Sequence, residues 1–177
     1  MKPRGLVIVF TGEGKGKTSA AMGLALRSCG HQMYVSVIHF IKGPRASGEQ
    51  KAIERLAPYI ELLSMGKGPA GLLNDTVQYP DQRVTARTAL VRARQQISSG
   101  SWDMVILDEI NTAVFLGLLD IAEVLDLVKN KPPKLHLVLT GRGAPDPLIE
   151  IADLATEMRP LKHPADGDTP MQQGIDY

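Results

Sequence analysis

Short apolar runs alternate along the chain with segments of helical character, and this alternation predicts a mostly parallel sheet joined by crossover helices. The expected strands are Leu6–Phe10, Tyr34–Phe40, Tyr59–Ser64, Asp103–Leu107, Leu135–Thr140 and Asp153–Met158. Several are almost continuously apolar, as strands covered on both faces are. Helices are expected over Thr18–Cys29, Ser47–Leu56, Arg83–Ser98, Ile121–Lys129 and Pro145–Ile151, with Gly30 and Gly100 placed to close the first and third. Two stretches follow neither period. Gly66–Asp81 carries three glycines and two prolines and is expected to be a long loop. The tail from His163 to Tyr177 is expected to run irregularly over the surface, or to cover a ligand.

The first strand leads into Thr11-Gly12-Glu13-Gly14-Lys15-Gly16-Lys17-Thr18, and a helical segment follows at once. That order suits a triphosphate: glycines let the backbone approach closely, consecutive N–H groups wrap the anion, and Lys17 neutralises it. Thr18 supplies a hydroxyl to an accompanying Mg²⁺. The common pattern G-x-x-x-x-G-K-[ST] is not strictly met, because Thr11 stands where its first glycine falls.

A second strand, Met104-Val105-Ile106-Leu107, delivers Asp108 and Glu109 at its C-terminal end. Ligands of open α/β sheets bind outside those ends, so this strand and the glycine-rich loop point to one place. A carboxylate there suits Mg²⁺, which prefers oxygen ligands and keeps several waters. An isolated Asp-Glu pair would more simply cap a following helix; the loop upstream favours the metal. Leu139-Thr140-Gly141-Arg142 ends a third strand, and its arginine either reaches a polyphosphate or pairs with a surface carboxylate. Arg27 lies about ten residues, or roughly 15 Å, along the helix from Lys17. It therefore has a separate role, toward a neighbouring segment, a ligand or solvent. His31, His39, His136 and His163 have no metal-ligand partner at helical or hairpin spacing, and each reads as structural. No Ser–His–Asp order or G-x-S-x-G elbow supports nucleophilic hydrolysis.

Composition narrows the class. The 177 residues fit one domain with a substantial core, and 44% apolar with 22% charged content is ordinary for a globular protein. A net charge of +1 and few aromatic residues argue against nucleic acid and against an anionic membrane. The single Cys29 forms no intramolecular disulfide. With no leader-like or membrane-length apolar run, the expected location is the cytoplasm.

Taken together, these motifs resemble the P-loop type of ATP:corrinoid adenosyltransferase. The resemblance rests on the loop 11–18, on Phe40-Ile41-Lys42-Gly43 with Gly48-Glu49, and on Val105-Ile106-Leu107-Asp108-Glu109. It continues through Leu139-Thr140-Gly141-Arg142-Gly143-Ala144-Pro145, Ala152-Asp153-Leu154-Ala155-Thr156-Glu157-Met158, Lys162-His163-Pro164 and Gln173-Gly174-Ile175. It implies a single-domain P-loop NTPase-like (RecA-like) α/β fold spanning residues 1–177. The implied reaction is attack of a Co(I) corrinoid on the 5′ carbon of ATP, with tripolyphosphate leaving. Gly12, Glu13, Gly14, Lys15, Gly16, Lys17, Thr18 and Ser19 would then hold ATP. Thr18 and Glu109, supported by Asp108, would hold Mg²⁺ or, in its place, Mn²⁺. Arg27 would approach the nucleotide, and Lys17, Glu109 and Arg142 would serve catalysis. An electron-donating reductase and a homodimer are also implied.

The sequence departs from the family in two places. The aromatic Gly-Phe-Thr-Trp-type segment tied to the corrinoid is replaced by Gly66-Lys67-Gly68-Pro69-Ala70-Gly71-Leu72-Leu73-Asn74-Asp75, and only a few residues precede the first strand. Two other readings stay open from the residues: a P-loop ATPase or kinase, and a nucleotide- or corrinoid-binding protein without turnover.

Overall fold

Five of the six expected strands are five residues long and the sixth has four, and all run parallel. The computed structural model describes residues 4–41, 43, 48–66, 79–163, 170 and 172–175. The strands are β1 (Val7–Thr11), β2 (Val35–His39), β3 (Ile60–Ser64), β4 (Met104–Asp108), β5 (His136–Thr140) and β6 (Leu154–Glu157). They pair in the order β3-β2-β4-β5-β1-β6. The helices are α1 (Lys17–Cys29), α2 (Gly48–Ile53), α3 (Tyr79–Ser98), α4 (Ile110–Phe115), α5 (Ile121–Lys129) and α6 (Asp146–Glu150), and a 3-10 turn over Glu54–Leu56 extends α2.

Alternation within each strand sends neighbouring side chains to opposite faces, and the core accordingly divides in two. Val9, Ile38, Val105, Leu107, Leu137 and Leu139 pack beneath α3, α4, α5 and α6. Ile8, Phe10, Val35, Val37, Ile106 and Val138 pack against α1 on the other face. The small residues Ala21 and Ala25 let α1 lie close to the sheet, and both are fully buried. Coverage on both faces explains why β1, β2 and β4 are buried at every position. All four residues of the edge strand β6 are exposed.

Three local differences from the sequence expectation have physical causes. The segment Ile110–Phe115 forms α4, which the sequence hides because its Asn, Thr, Ile and Val are indifferent helix formers and it spans under two turns. The loop expected over Gly66–Asp81 ends sooner, since α3 begins at Tyr79. Residues 67–78, including most of the altered corrinoid segment, lie outside the described residues. Gly30 closes α1 as expected, but in ordinary right-handed geometry. Among the described residues, no helix is long and apolar enough to cross a membrane.

Candidate active site

Because every strand is parallel, the residues that end them meet along one edge of the sheet. Four of the buried strands finish in a polar residue: Thr11, His39, Asp108 and Thr140. At the centre is Asp108, 1% exposed. Its Oδ1 accepts hydrogen bonds from Thr18 Oγ1 at 2.9 Å and from Thr140 Oγ1 at 2.7 Å. Its Oδ2 lies 2.7 Å from His39 Nδ1. Thr140 also accepts from the backbone N–H of Glu109 at 3.0 Å. Glu109 has a positive φ of 66°, unusual for a residue with a side chain. Thr112 donates its hydroxyl to the Glu109 carboxylate and accepts from Arg142 N at 2.9 Å. The turns after β4 and β5 are thereby tied together.

The glycine-rich loop owes its shape to β6. Met158 N donates to Thr11 O at 2.8 Å, and Gly14 N donates to Met158 O at 2.7 Å. A Cβ on Gly12 would fall 2.5 Å from Met158 O, and one on Gly14 would fall 2.8 Å from it. Gly12 and Gly16 also have φ of +94° and +109°, conformations that favour glycine. No side chain caps α1 at Gly16, so the first-turn N–H groups and the positive end of the helix dipole are directed at the space before it. Thr11 uses its hydroxyl to accept from Ala144 N at 3.1 Å, which fixes the loop start to the turn after β5.

Lys17 is 8% exposed, and its Nζ donates to Gly12 O at 2.7 Å and Gly14 O at 2.6 Å. Burial holds this amine below the usual lysine range, while the nearby Glu109 opposes the shift. In front of it lies a cavity of about 210 Å³ lined by residues 13–19, Glu49, Glu109, Arg142 and Ile175. Arg142 pairs with Glu13 at 3.1 Å, both side chains being more than half exposed.

The structure therefore brings Glu13, Gly14, Lys15, Gly16, Lys17, Thr18, Ser19, Glu109 and Arg142 to one cavity, with Asp108 directly beneath. It turns the Gly14 N–H away, into Met158. Arg27 is not brought there; it is exposed near the far end of α1. His39 and Thr140 are the site residues that spacing overlooked. Each is the polar residue that ends its strand. Ile175 comes from the tail, so one described part of that segment does meet the site.

The oxygen donors Thr18 and Glu109, with Asp108 behind them, match the hard-ligand preference of Mg²⁺. Among the described residues, no group of three or more His, Cys, Asp or Glu is arranged to hold an ion. A divalent ion here would complete its shell with phosphate oxygens and water.

An all-parallel sheet with a glycine-rich loop, a lysine and paired carboxylates at its C-terminal edge defines a P-loop nucleotide-binding protein. The family model described as ATP:corrinoid adenosyltransferase BtuR/CobO/CobP matches residues 3–177. A corrinoid adenosyltransferase from a Sinorhizobium species is 39% identical over 176 residues, which cover 98% of this chain and 81% of the relative. One from Escherichia coli K12 is 36% identical over 174 residues, covering 98% and 86%. The chain belongs to the ATP:corrinoid adenosyltransferase family, and it is a transferase. The fold alone resembles flagellar accessory protein FlaH from Methanocaldococcus jannaschii, at a TM-score of 0.52 and 14% identity over 88% of this chain and 71% of that one.

Proposed function

We propose that this site releases the tripolyphosphate of ATP while a Co(I) corrinoid attacks the 5′ carbon. A cobalt–carbon bond forms and the C5′–O bond breaks. The leaving oxygen takes the bonding pair, and cobalt is formally oxidised from Co(I) to Co(III). The nucleophile belongs to the substrate, so the protein needs neither a nucleophile nor a general base of its own. Its task is to orient ATP and stabilise the departing charge.

The observation that carries this reading is the convergence of Lys17, the α1 N-terminus and Arg142 on one cavity. All three offer positive charge where negative charge grows. Lys17 exchanges the Gly12 and Gly14 carbonyls for phosphate oxygens, and Arg142 exchanges Glu13 for the same. Lys15, Gly16, Thr18 and Ser19 contribute backbone N–H groups, while Gly12 and Gly14 allow the loop to lie close. Thr18 and Glu109 hold Mg²⁺, with Asp108 supporting Thr18; when bound, the ion supplies Lewis acidity at the phosphates. Arg27, at the far end of α1, takes no part in phosphate binding.

The electrons that make Co(I) come from a separate reductase, because cleavage of ATP at C5′ supplies none. The enzyme acts in the cytoplasm on an intermediate or salvage form of cobalamin. It works as a homodimer, for which the exposed edge strand β6 offers a surface.

The test is an anaerobic incubation with ATP, Mg²⁺ and chemically reduced corrinoid, followed by identification of both products. Adenosylated corrinoid with tripolyphosphate is expected. ADP with orthophosphate would overturn the reading.

A further inference from the structure

We infer that His39 is a positioning residue for the cation corner of this site. It fixes Asp108 so that the Thr18 hydroxyl, its proton already committed, offers its oxygen to a divalent ion. The inference rests on the proposed role of Thr18.

The argument starts from register. His39 and Asp108 are direct partners across β2 and β4, so their side chains leave the same face of the sheet. The resulting pair is 2.7 Å apart, with side chains 4% and 1% exposed. An ionised carboxylate only accepts hydrogen bonds, so the imidazole Nδ1–H is the donor to Oδ2. Oδ1 meanwhile receives the hydroxyl protons of Thr18 and Thr140. Held at both oxygens, the carboxylate cannot turn about its Cβ–Cγ bond without giving up several buried bonds at once.

Two consequences reach the cavity. Thr18 has its proton directed at Oδ1, so its oxygen acts as an acceptor toward a cation. Thr140, whose proton is likewise committed, accepts from Glu109 N and so anchors the turn that carries the Glu109 carboxylate. One imidazole, itself not among the residues that line the cavity, thus orients both oxygen donors that face the ion. Partners standing behind a metal's direct ligands commonly alter metal affinity by 10- to 100-fold.

The bland alternative is a buried polar pair that merely satisfies itself. Two variants separate it from the proposal. His39→Asn keeps an N–H at the same distance along the side chain, whereas His39→Leu removes the donor. The readout is Mn²⁺ binding followed by electron paramagnetic resonance with a non-reacting ATP analogue, so no turnover is needed. His39→Leu is expected to weaken Mn²⁺ by about tenfold or more. His39→Asn should stay within about threefold of the parent. Binding of the analogue in EDTA should change little in either variant. If His39→Leu does not fold, His39→Ala, whose vacated space admits water, is held to the same criterion. A lowered melting temperature with Mn²⁺ affinity unchanged overturns the proposal, as does an Asn variant as weak as the Leu one. Thr18→Val serves as the control: if it too leaves Mn²⁺ affinity unchanged, the assignment of Thr18 itself fails.

Discussion

The two ends of the sheet present the same ingredients and put them to different uses. At the C-terminal end, Lys17 is buried beside a cavity of about 210 Å³ and donates to the carbonyls of Gly12 and Gly14. At the N-terminal end, Lys131 borders a cavity of about 250 Å³ and donates to the carbonyls of Gly5 and Leu135, each at 2.9 Å. Burial lowers both amines from the usual lysine value. A lysine that bonds backbone carbonyls beside a cavity, its pKa lowered by burial, is therefore not enough to mark an active site.

What differs is where the neighbouring charges and dipoles are spent. At the lower end, Asp153 pairs with Arg4 and accepts from Val7 N at 2.8 Å, so the carboxylate closes β1 onto β6. Lys131 similarly satisfies carbonyls just before β1 and β5, which the sheet cannot pair. At the upper end a helix begins at the lysine itself with no side-chain cap, and three acidic residues, Glu109, Glu13 and Asp108, lie close by. At the lower end the charges are spent on the backbone and on each other; at the upper end the glycine-rich loop, the start of α1 and Arg142 line the cavity.

This contrast can be broken by mutation. Lys17→Ala is expected to lower adenosyl transfer by about 100-fold or more, the scale of losing a preorganised charge at a developing anion, and also to lower Tm, since it leaves the Gly12 and Gly14 carbonyls without their donor. Unchanged turnover would show that the upper lysine is as structural as the lower. Lys131→Met should cost stability alone. Unpaired buried carbonyls cost roughly 1–3 kcal/mol, lowering Tm by several degrees in a chain of this size while kcat and KM for ATP hold. A loss of affinity for ATP without a loss of Tm would make the lower end functional.

The smallest expected effect concerns His136, which begins β5 and accepts from Leu6 N at 3.2 Å through Nδ1. Its pKa is lowered from 6.5, first by burial and then by Lys131, with Asp103 acting against them. The unfolded chain therefore binds this proton more readily than the folded one, and stability rises with pH. The contribution is full above the unfolded value of 6.5 and fades as the pH falls below it toward the lower folded value. The ring is partly exposed, so the effect is on the order of a degree in Tm. Melting curves for the parent and His136→Asn between pH 7 and 5 should converge on acidification; parallel curves would rule this out.

Much of this architecture is legible in the residues because burial leaves a strong mark. Val7–Phe10 and Met104–Leu107 are apolar without interruption, as a strand covered on both faces favours. The loop 11–18 is equally plain, since close approach and positive φ restrict Gly12 and Gly16 to glycine. The short α4 was hidden by weak local propensity, and it forms because the buried Ile110 and Ala113 pack on the sheet. The partnership of His39, Asp108 and Thr140 had no sequence signal of the spacing kind. Those residues are 69 and 32 positions apart, and only the strand order β2-β4-β5 makes them neighbours. Thr140 shares its motif with Arg142, whose fixed charge is the stronger chemical signal.

Thr11 carries a lesson for engineering. Replacing it with glycine would restore the common phosphate-loop pattern letter for letter. It would also delete the hydroxyl that receives Ala144 N and enlarge the freedom of the unfolded chain. The edited protein would match the consensus better and hold its loop less firmly. For this chain, a consensus drawn from the wider class is the wrong template for stabilisation.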